Sequence, residues 1–238
     1  VIDDADLRRG QETLQKKFGK RTAVICGDYL LSIALKMAAN IRDRKNYMDI
    51  KLPDYISRLC LGELRQHVNY RNVDLTVFEY IKIISGKTAA LFEASFLAGA
   101  YLGDCPPTEV KRYKKIGNYV GIIFQLQDDC MDFDKTVEQA GKPVQSDYEQ
   151  GVVTLPLLYA LHGIKGFKQR AFKENISRED INRAVEQAEG LEYTRGLIQR
   201  YYDKAENQIT HLDITDEKRK KIMDLLTKAT GRQGSLGK

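Results

Sequence analysis

Three aspartates at the end of an apolar stretch form the strongest chemical pattern in this sequence: Asp128, Asp129 and Asp132. On an α-helix, residues four apart differ by roughly 40° in azimuth, so Asp128 and Asp132 share a face, and Asp129 stands about 60° from Asp132. Carboxylates this close repel one another, and a divalent cation with oxygen ligands removes that cost. Because Mg²⁺ is usually completed by substrate phosphates, the pattern indicates a magnesium site for a phosphate ester. The alternative is a solvated acidic helix end.

Basic residues supply a second, weaker signal. Arg8 and Arg9 follow an acidic opening segment, and arginines bind phosphate bidentately while nearby acids can hold a bridging metal. Lys87 stands in an apolar stretch, where its compact charge suits a diphosphate. Lys142, in a Gly-Lys-Pro sequence, is a further isolated cation. Charged termini are usually only solvated and lone lysines usually lie on the surface, so none of these residues is decisive alone.

The elements that must position these residues are predicted to be helices. Apolar residues recur at spacings of three and four, and the strict alternation of strands is absent. Asp74 is the predicted N-cap of one long helix, Pro106 and Pro107 open the next, and Ser177 caps a later one. No hairpin signal such as Asn-Gly occurs between alternating runs. The predicted helices span 22–41, 74–102, 107–128, 181–188, 191–209 and 216–229.

Length, charge and cysteine usage exclude several classes. The 238 residues, 42% of them hydrophobic, suffice for one domain with a core, and a net charge of +5 does not imply a nucleic-acid partner. The sequence has no uninterrupted apolar run of about 18 residues, so we expect no membrane-spanning helix. Its start does not resemble a signal peptide. Four cysteines without a CxxC pair give no support for zinc, and we expect buried thiols in a reducing cytosol. We therefore expect an all-α, single-domain cytoplasmic protein.

Seven short motifs occur in a fixed order between residues 1 and 161. They are D-x-x-R-R-G near the start, G-D-Y-L-L from Gly27, G-E at Gly62, K-T-A-A-L-F from Lys87, F-Q-L-Q-D-D-x-x-D from Phe124, G-K-P-x-x-S-D from Gly141 and T-L-P-L from Thr154. Each motif is modest alone, but their order is specific, and together they resemble one family, the trans-isoprenyl diphosphate synthases or polyprenyl synthetases. The last third of the chain is similar to this family only in being helical.

The resemblance implies a helical bundle with a central apolar cavity, the isoprenoid synthase fold. It also implies a Mg²⁺-dependent reaction that joins an allylic prenyl diphosphate, head to tail, to isopentenyl diphosphate. The expected product is a medium-chain or long-chain all-trans polyprenyl diphosphate, such as a hexaprenyl or heptaprenyl product. No covalent enzyme intermediate is needed, which agrees with the lack of a Ser/His or Cys/His pattern.

Carried over position by position, the resemblance assigns roles to individual residues. Asp128, Asp129 and Asp132 form the second metal-binding motif, with Asp128 as its chief ligand, and Asp3 is the last acid of the first motif. Four cations are expected to bind diphosphate: Arg8, Arg9, Lys87 and Lys142. Arg9 binds isopentenyl diphosphate, and the other three bind the allylic substrate. Thr88 and Gln125 line the reacting end, so the implied catalytic residues are Lys87, Thr88, Gln125 and Asp128.

Three departures from the family pattern affect these expectations. The first motif is normally DDxxD, and its two leading aspartates and the helices before them are not in this sequence, so we expect a segment to precede Val1. Val152 stands where the family usually has lysine, which puts one phosphate contact in doubt. Gln145 replaces a usual glycine. The expected domain covers residues 1–230, followed by a flexible tail at 231–238.

The resemblance also bears on partners and leaves alternatives. Family members form dimers, so we expect a homodimer or a heterodimer with a small regulatory subunit, with peripheral membrane contact for long products and no nucleic acid. One alternative is a noncatalytic or partner-dependent subunit of a heteromeric prenyl synthase. Another is a class I terpene cyclase, which shares the aspartate motif but lacks the Arg8-Arg9 and Lys87-Thr88 set. The product length is not readable from these residues.

Overall fold

The computed structural model describes residues 4–8, 10–40, 50–133, 147–148, 151–173 and 176–231. By their internal contacts the residues divide into two units, Val1–Asp49 and Ile50–Lys238, and each is considered by itself. Three predicted site residues lie outside the described part of the chain: Asp3, Arg9 and Lys142. The predicted tail also lies outside it from residue 232 onward.

The first unit contains a short hairpin and two helices. Strand β1 (Leu7–Arg8) pairs antiparallel with β2 (Gln11–Glu12). No Asn-Gly signal predicted this hairpin; Gly10, with a φ of 76°, provides the left-handed backbone conformation directly before β2. Helices α1 (Leu14–Phe18) and α2 (Lys20–Ala39) follow, and α2 matches the first predicted helix.

Helix α2 is apolar, yet none of its residues is buried within its own unit. Within the described part of the chain it is the one helix that is long and apolar enough to cross a membrane, by length and a hydropathy of 1.4 alone. The core helices of soluble proteins and signal sequences share this composition.

The second unit is an assembly of helices, in agreement with the predicted fold class. After Ile84 the chain makes a π-helical turn, Ser85–Ala89, so the long helix predicted over 74–102 is helical but not uniform. The other predicted helices are confirmed with small shifts of their ends. The helices described here are α3 (Leu52–Val68), α4 (Val77–Ile84), α5 (Ala90–Leu102), α6 (Pro107–Met131), α7 (Leu155–Gly163), α8 (Phe167–Lys173), α9 (Arg178–Gln187), α10 (Gly190–Thr210) and α11 (Asp216–Ala229).

Local side-chain bonds explain where these helices begin. Thr76 accepts the Glu79 N–H at 3.2 Å, and the Glu79 carboxylate accepts the Thr76 N–H at 3.0 Å. This reciprocal capping box starts α4, so the prediction of Asp74 as N-cap is wrong: the box satisfies two helix-start donors, and Asp74 instead pairs with Lys168. The predicted start at Pro106-Pro107 and the Ser177 cap are both confirmed.

The core of the second unit is organised around α6, which packs against α5 and α10. The apolar residues of α6 recur at helical spacing, and each contributes roughly 2 kcal/mol by leaving water. Four of them are at most 1% exposed: Ile116, Val120, Ile123 and Leu126. The aspartates follow directly on this buried stripe, so their backbone belongs to the helix around which the core is packed.

The four cysteines are free, but they are not uniformly buried. Cys130 on α6 is buried, whereas Cys60 on α3 is exposed. The expectation of buried thiols is therefore wrong for Cys60, which falls on the outward side of its helix.

Candidate active site

The three aspartates of the α6 end do not all face the same way. Asp128 is exposed and Asp132, the C-cap of α6, is half-buried, so both are accessible from solvent. Asp129 is only 1% exposed. Adjacent helical residues differ by about 100°, and the turn that presents Asp128 to solvent therefore directs Asp129 into the core.

Asp129 is held by two neutral partners inside the unit. The hydroxyl of Tyr80 on α4 donates to one carboxylate oxygen, and the Gln125 amide donates to the other at 3.0 Å. Burial raises the pKa of Asp129 to about 7, with the charges of Asp128 and Asp132 adding to it, while the two hydrogen bonds lower it. The structure thus places Asp129 behind Asp128 as a support for Gln125.

Gln125 links the aspartates to the turn that carries Thr88. The Thr88 hydroxyl donates to the Gln125 carbonyl oxygen at 2.7 Å, while the Gln125 amide nitrogen lies 3.5 Å from a carboxylate oxygen of Asp128. Since its oxygen accepts and its nitrogen donates, the orientation of the amide is fixed. Three predicted catalytic residues, Thr88, Gln125 and Asp128, are therefore brought together.

Lys87, the fourth, lies in the π-helical turn and points at α3. Its ammonium group donates to the Gln66 side-chain oxygen at 3.1 Å and lies 3.6 Å from a Glu63 carboxylate oxygen. The turn reaches α3 closely because residue 62 is glycine: a Cβ on Gly62 would lie 2.2 Å from the Lys87 backbone nitrogen. π-Helical turns are common at functional sites, and this one directs Lys87 toward Gln66 on α3 and Thr88 toward Gln125 on α6.

Asp147 is a site residue that sequence reasoning missed. Its backbone N–H donates to a carboxylate oxygen of Asp132 at 3.0 Å. Burial raises the pKa of its carboxyl to about 7, and Asp132, Asp129 and Asp128 raise it further, while the charge of Lys87 lowers it. The available signal was its place at the end of the G-K-P-x-x-S-D motif, which joins the α6 aspartates only through the tertiary fold.

The donor set fits Mg²⁺ bound together with a substrate phosphate. Asp128, Asp132 and Asp147 offer oxygen ligands only, the type that Mg²⁺ prefers. Among the described side chains no three His, Cys, Asp or Glu groups form a ready-made metal cage. Mg²⁺ usually takes one or two carboxylates and completes its shell with water and phosphate. Burial is the main cause of the raised pKa values of Asp129 and Asp147, and the charges of the neighbouring carboxylates add to both.

The remaining predicted residues fall in other places. Arg8 is exposed on β1 of the first unit, where two nearby acids are paired with lysines, Asp6 with Lys16 and Asp4 with Lys20, each at 2.8 Å. The predicted roles of Asp3, Arg8, Arg9 and Lys142 stay predictions. So does the effect of Val152, whose backbone N–H donates to the Asp147 carbonyl at 2.8 Å. Gln145 lies outside the described residues.

Known proteins are similar to this chain in sequence and in fold. The chain is 38% identical over 209 residues to heptaprenyl diphosphate synthase component 2 of Geobacillus stearothermophilus, and 32% identical over 212 residues to octaprenyl diphosphate synthase of Escherichia coli (strain K12). Each match covers 86% of this chain and 65% of the relative, so the chain spans just under two thirds of those proteins.

A solved structure gives the same result for the fold. Geranylgeranyl pyrophosphate synthase from Lactobacillus brevis superposes with a TM-score of 0.86 and 30% identity, over 97% of this chain and 73% of that one. The fold is therefore the all-α isoprenoid synthase fold. The polyprenyl synthetase family model matches residues 1–191, which include every predicted site residue. With the aspartates, Lys87 and Gln125 arranged as described, this chain belongs to the polyprenyl synthetase family.

Proposed function

We propose that this chain belongs to a Mg²⁺-dependent prenyltransferase that joins an allylic prenyl diphosphate, head to tail, to isopentenyl diphosphate. The observation that carries the proposal is the bond between the Asp147 N–H and the Asp132 carboxylate, together with the charges of Asp128 and Lys87, which both act on the Asp147 carboxyl. Carboxylates and a lysine on one edge can bind a magnesium diphosphate, the leaving group of an allylic substrate. The chain's similarity to heptaprenyl and octaprenyl synthases supports the same reaction.

The reaction begins with loss of diphosphate, which leaves an allylic carbocation. Mg²⁺ would stabilise the negative charge that develops on the departing oxygens. Lys87 neutralises the same group directly, and its bond to Gln66 fixes where the ammonium stands. Asp128 and Asp132 would hold the metal, and Thr88 with Gln125 presents polar groups beside the bond that breaks.

An aromatic pair beside these polar groups suits a carbocation. The rings of Phe92 and Phe124 lie 5.4 Å apart, centre to centre, and Phe124 directly precedes Gln125 in α6. Phe124 is 48% exposed, so its face is open to a ligand. Ring faces attract cations and exclude water, which protects an allylic cation until the isopentenyl double bond attacks. A proton is then lost, and the departed diphosphate is the nearest base that the reaction itself supplies.

The product and the assembly belong to the same proposal. We propose a medium-chain or long-chain all-trans product formed by a dimer in the cytoplasm, with peripheral membrane contact for long products. The name of the Geobacillus relative, component 2, favours a heterodimer with a second subunit. The intact aspartates and Lys87 make this chain the catalytic partner rather than a silent one.

The test is incorporation of labelled isopentenyl diphosphate onto farnesyl diphosphate with Mg²⁺, followed by chromatography of the products. The protein used is that of the complete reading frame, alone and with any second subunit encoded beside it. We expect elongated products in at least one of the two conditions. If neither preparation incorporates label, the proposal fails.

The same assay separates the two alternatives. A silent subunit would support turnover by its partner even when it carries Asp128→Ala. A terpene cyclase would consume an allylic diphosphate without binding isopentenyl diphosphate, which equilibrium binding measures directly.

A further inference from the structure

A second buried carboxylate, Glu93 on α5, lies outside the aspartate cluster and is only 4% exposed. Arg58 on α3 grips it with both nitrogens, at 2.9 and 3.1 Å, and the Tyr55 hydroxyl donates at 2.9 Å. From α6, Asn118 donates at 3.1 Å and the Lys114 ammonium lies 3.5 Å away. One side chain therefore ties three helices together.

Two contacts connect this cluster to the turn that carries Lys87. The Asn118 amide that bonds Glu93 also lies 3.3 Å from the hydroxyl of Ser85, the first residue of the π-helical turn. On the other side, the carbonyl of Arg58 lies 3.1 Å from the position of a Cβ on Gly86, the residue before Lys87. The Glu93 partners thus touch the turn from both α3 and α6.

The helices are close enough here for a small displacement to be transmitted. A Cβ on Gly117 of α6 would lie 2.9 Å from the Glu93 Cα, so α5 and α6 are in backbone contact at this point. Tightly packed interiors pass on strain because they contain no free volume to absorb it. Weakening the grip of Glu93 on α3 therefore moves the π-helical turn relative to Gln66 and Glu63, the two partners of Lys87.

The electrostatics show that the Glu93 cluster is complete as it stands. Burial alone would raise the pKa of Glu93, but the Arg58 hydrogen bonds and charge, the Tyr55 hydroxyl and the Lys114 charge hold it below its usual value. A buried, ionised carboxylate is costly, and it is retained where good hydrogen bonds satisfy it and where it specifies one arrangement.

We propose that Glu93 is a positioning residue that holds the π-helical turn between α3 and α6 and so sets where Lys87 and Thr88 stand. Its carboxylate engages Tyr55, Arg58 and Asn118 and has no substrate-binding role of its own. The inference deepens the proposed function, because it concerns the diphosphate-binding turn of the same site.

The experiment compares Glu93→Gln with Glu109→Gln in the complete protein. Glu109 is a matched control: it is 9% exposed, it accepts the Asp213 N–H at 2.6 Å, and it lies at the opposite end of α6 from the aspartates. We expect Glu93→Gln to raise the KM for the allylic diphosphate and to weaken binding of inorganic diphosphate with Mg²⁺ by about 10-fold, since small misplacements cost up to about 100-fold. Glu109→Gln should leave both within about twofold, even where it lowers the unfolding temperature equally.

A double-mutant cycle with Lys87→Ala separates positioning from general stability. If Glu93 acts through Lys87, adding Glu93→Gln to Lys87→Ala should weaken diphosphate binding by less than about twofold more. Full additivity, or unchanged diphosphate binding in Glu93→Gln, would overturn the proposal. Should Glu93→Gln not fold, Asn118→Ala removes the bridge between Glu93 and Ser85 while leaving the Glu93 carboxylate with Arg58 and Tyr55, and it is held to the same two criteria. Diphosphate binding is measured without turnover. If the unmodified protein does not incorporate isopentenyl diphosphate, that result contradicts the proposed function but does not bear on the positioning role of Glu93.

Discussion

Asp129 and Glu93 are both almost fully buried carboxylates on neighbouring helices, yet their surroundings are opposite. Burial raises the pKa of Asp129 to about 7, the charges of Asp128 and Asp132 add to the rise, and its hydrogen-bond partners Tyr80 and Gln125 are neutral. Glu93 is surrounded by Arg58 and Lys114, and its pKa falls below the usual value. The Glu93 region contains its own cations, whereas the Asp129 region has more carboxylates than cations.

The difference separates a scaffold from a binding site. A cluster with matched charges gains nothing from an added ion, so the Glu93 region serves structure. A cluster with excess carboxylate is stabilised by any cation that binds. Mg²⁺, bound together with a diphosphate, would supply the positive charge that the side chains of this region do not. The following variants test this contrast from both sides.

The largest effect is expected for Asp128→Ala. It removes the most accessible carboxylate of the charge-deficient cluster, and turnover should fall by at least about 100-fold because the charge of the leaving group is no longer neutralised. Incorporation of labelled isopentenyl diphosphate measures it. The control is Asp203→Ala, which removes an exposed acid from α10. Equal turnover in the two variants would contradict the assignment.

A smaller effect is expected for Tyr80→Phe. Loss of the hydroxyl leaves one oxygen of Asp129 without its partner, frees Gln125 to reorient, and should lower turnover by about 10-fold and stability by about 1–3 kcal/mol. Chemical denaturation and kcat give the two numbers. Tyr159→Phe, on a ring stacked against Tyr193, should change neither, and a similar loss in both variants would show that the Asp129 bond has no special role.

The two regions should respond to pH with opposite signs in metal-free protein. The Asp147 carboxyl has its pKa raised from 3.8 to about 7, so its contribution to stability is greatest below pH 3.8 and is lost as the pH rises through 7. Glu93 has its pKa lowered from 4.5, so its contribution is full above pH 4.5 and is lost as the pH falls through the lower, folded value.

Denaturation of Asp147→Asn and Glu93→Gln across this range measures both contributions against the unmodified protein. Asp147→Asn should become the more stabilising the higher the pH, and Mg²⁺ should reduce that advantage. Glu93→Gln should become less destabilising toward acid. If the stability of the two variants, relative to the unmodified protein, changed with pH in the same way, the contrast between the two regions would be wrong.

The smallest effect is expected for Glu63→Gln. The carboxylate lies 3.6 Å from the Lys87 ammonium and its side chain is 40% exposed, so this pair contributes less than about 0.5 kcal/mol. Turnover should stay within about threefold, because Gln66 still holds the ammonium. A loss as large as that of Tyr80→Phe would mean that Lys87 is positioned mainly by charge.

The sequence predicted what depends on neighbours along the chain. The Ser177 cap, the start at Pro107 and the helical spacing of Ile116 and Val120 are all local patterns, and each is confirmed. Even local rules compete, however, and the Thr76 box displaced the cap expected at Asp74, although both signals were readable.

The missed features depend on residues far apart in the chain. Asp147 bonds Asp132, which lies 15 residues away, and Glu93 is bonded by Arg58, which lies 35 residues away. The direction of Asp129 was also not readable, because azimuth alone does not tell which side of a helix end is covered. The π-helical turn was hidden, since one extra residue disturbs the apolar spacing too little to be noticed.

The π-helical turn at Ser85–Ala89 also has a consequence for how this part of the protein can evolve. Deleting one residue from it would restore regular helix and rotate everything before it by about 100° relative to α5. Tyr80 would leave Asp129, and Ile83 and Ile84 would leave the core, all in one mutational step. We expect the length of this turn to be locked across descendants, so that its residues change identity while their number does not.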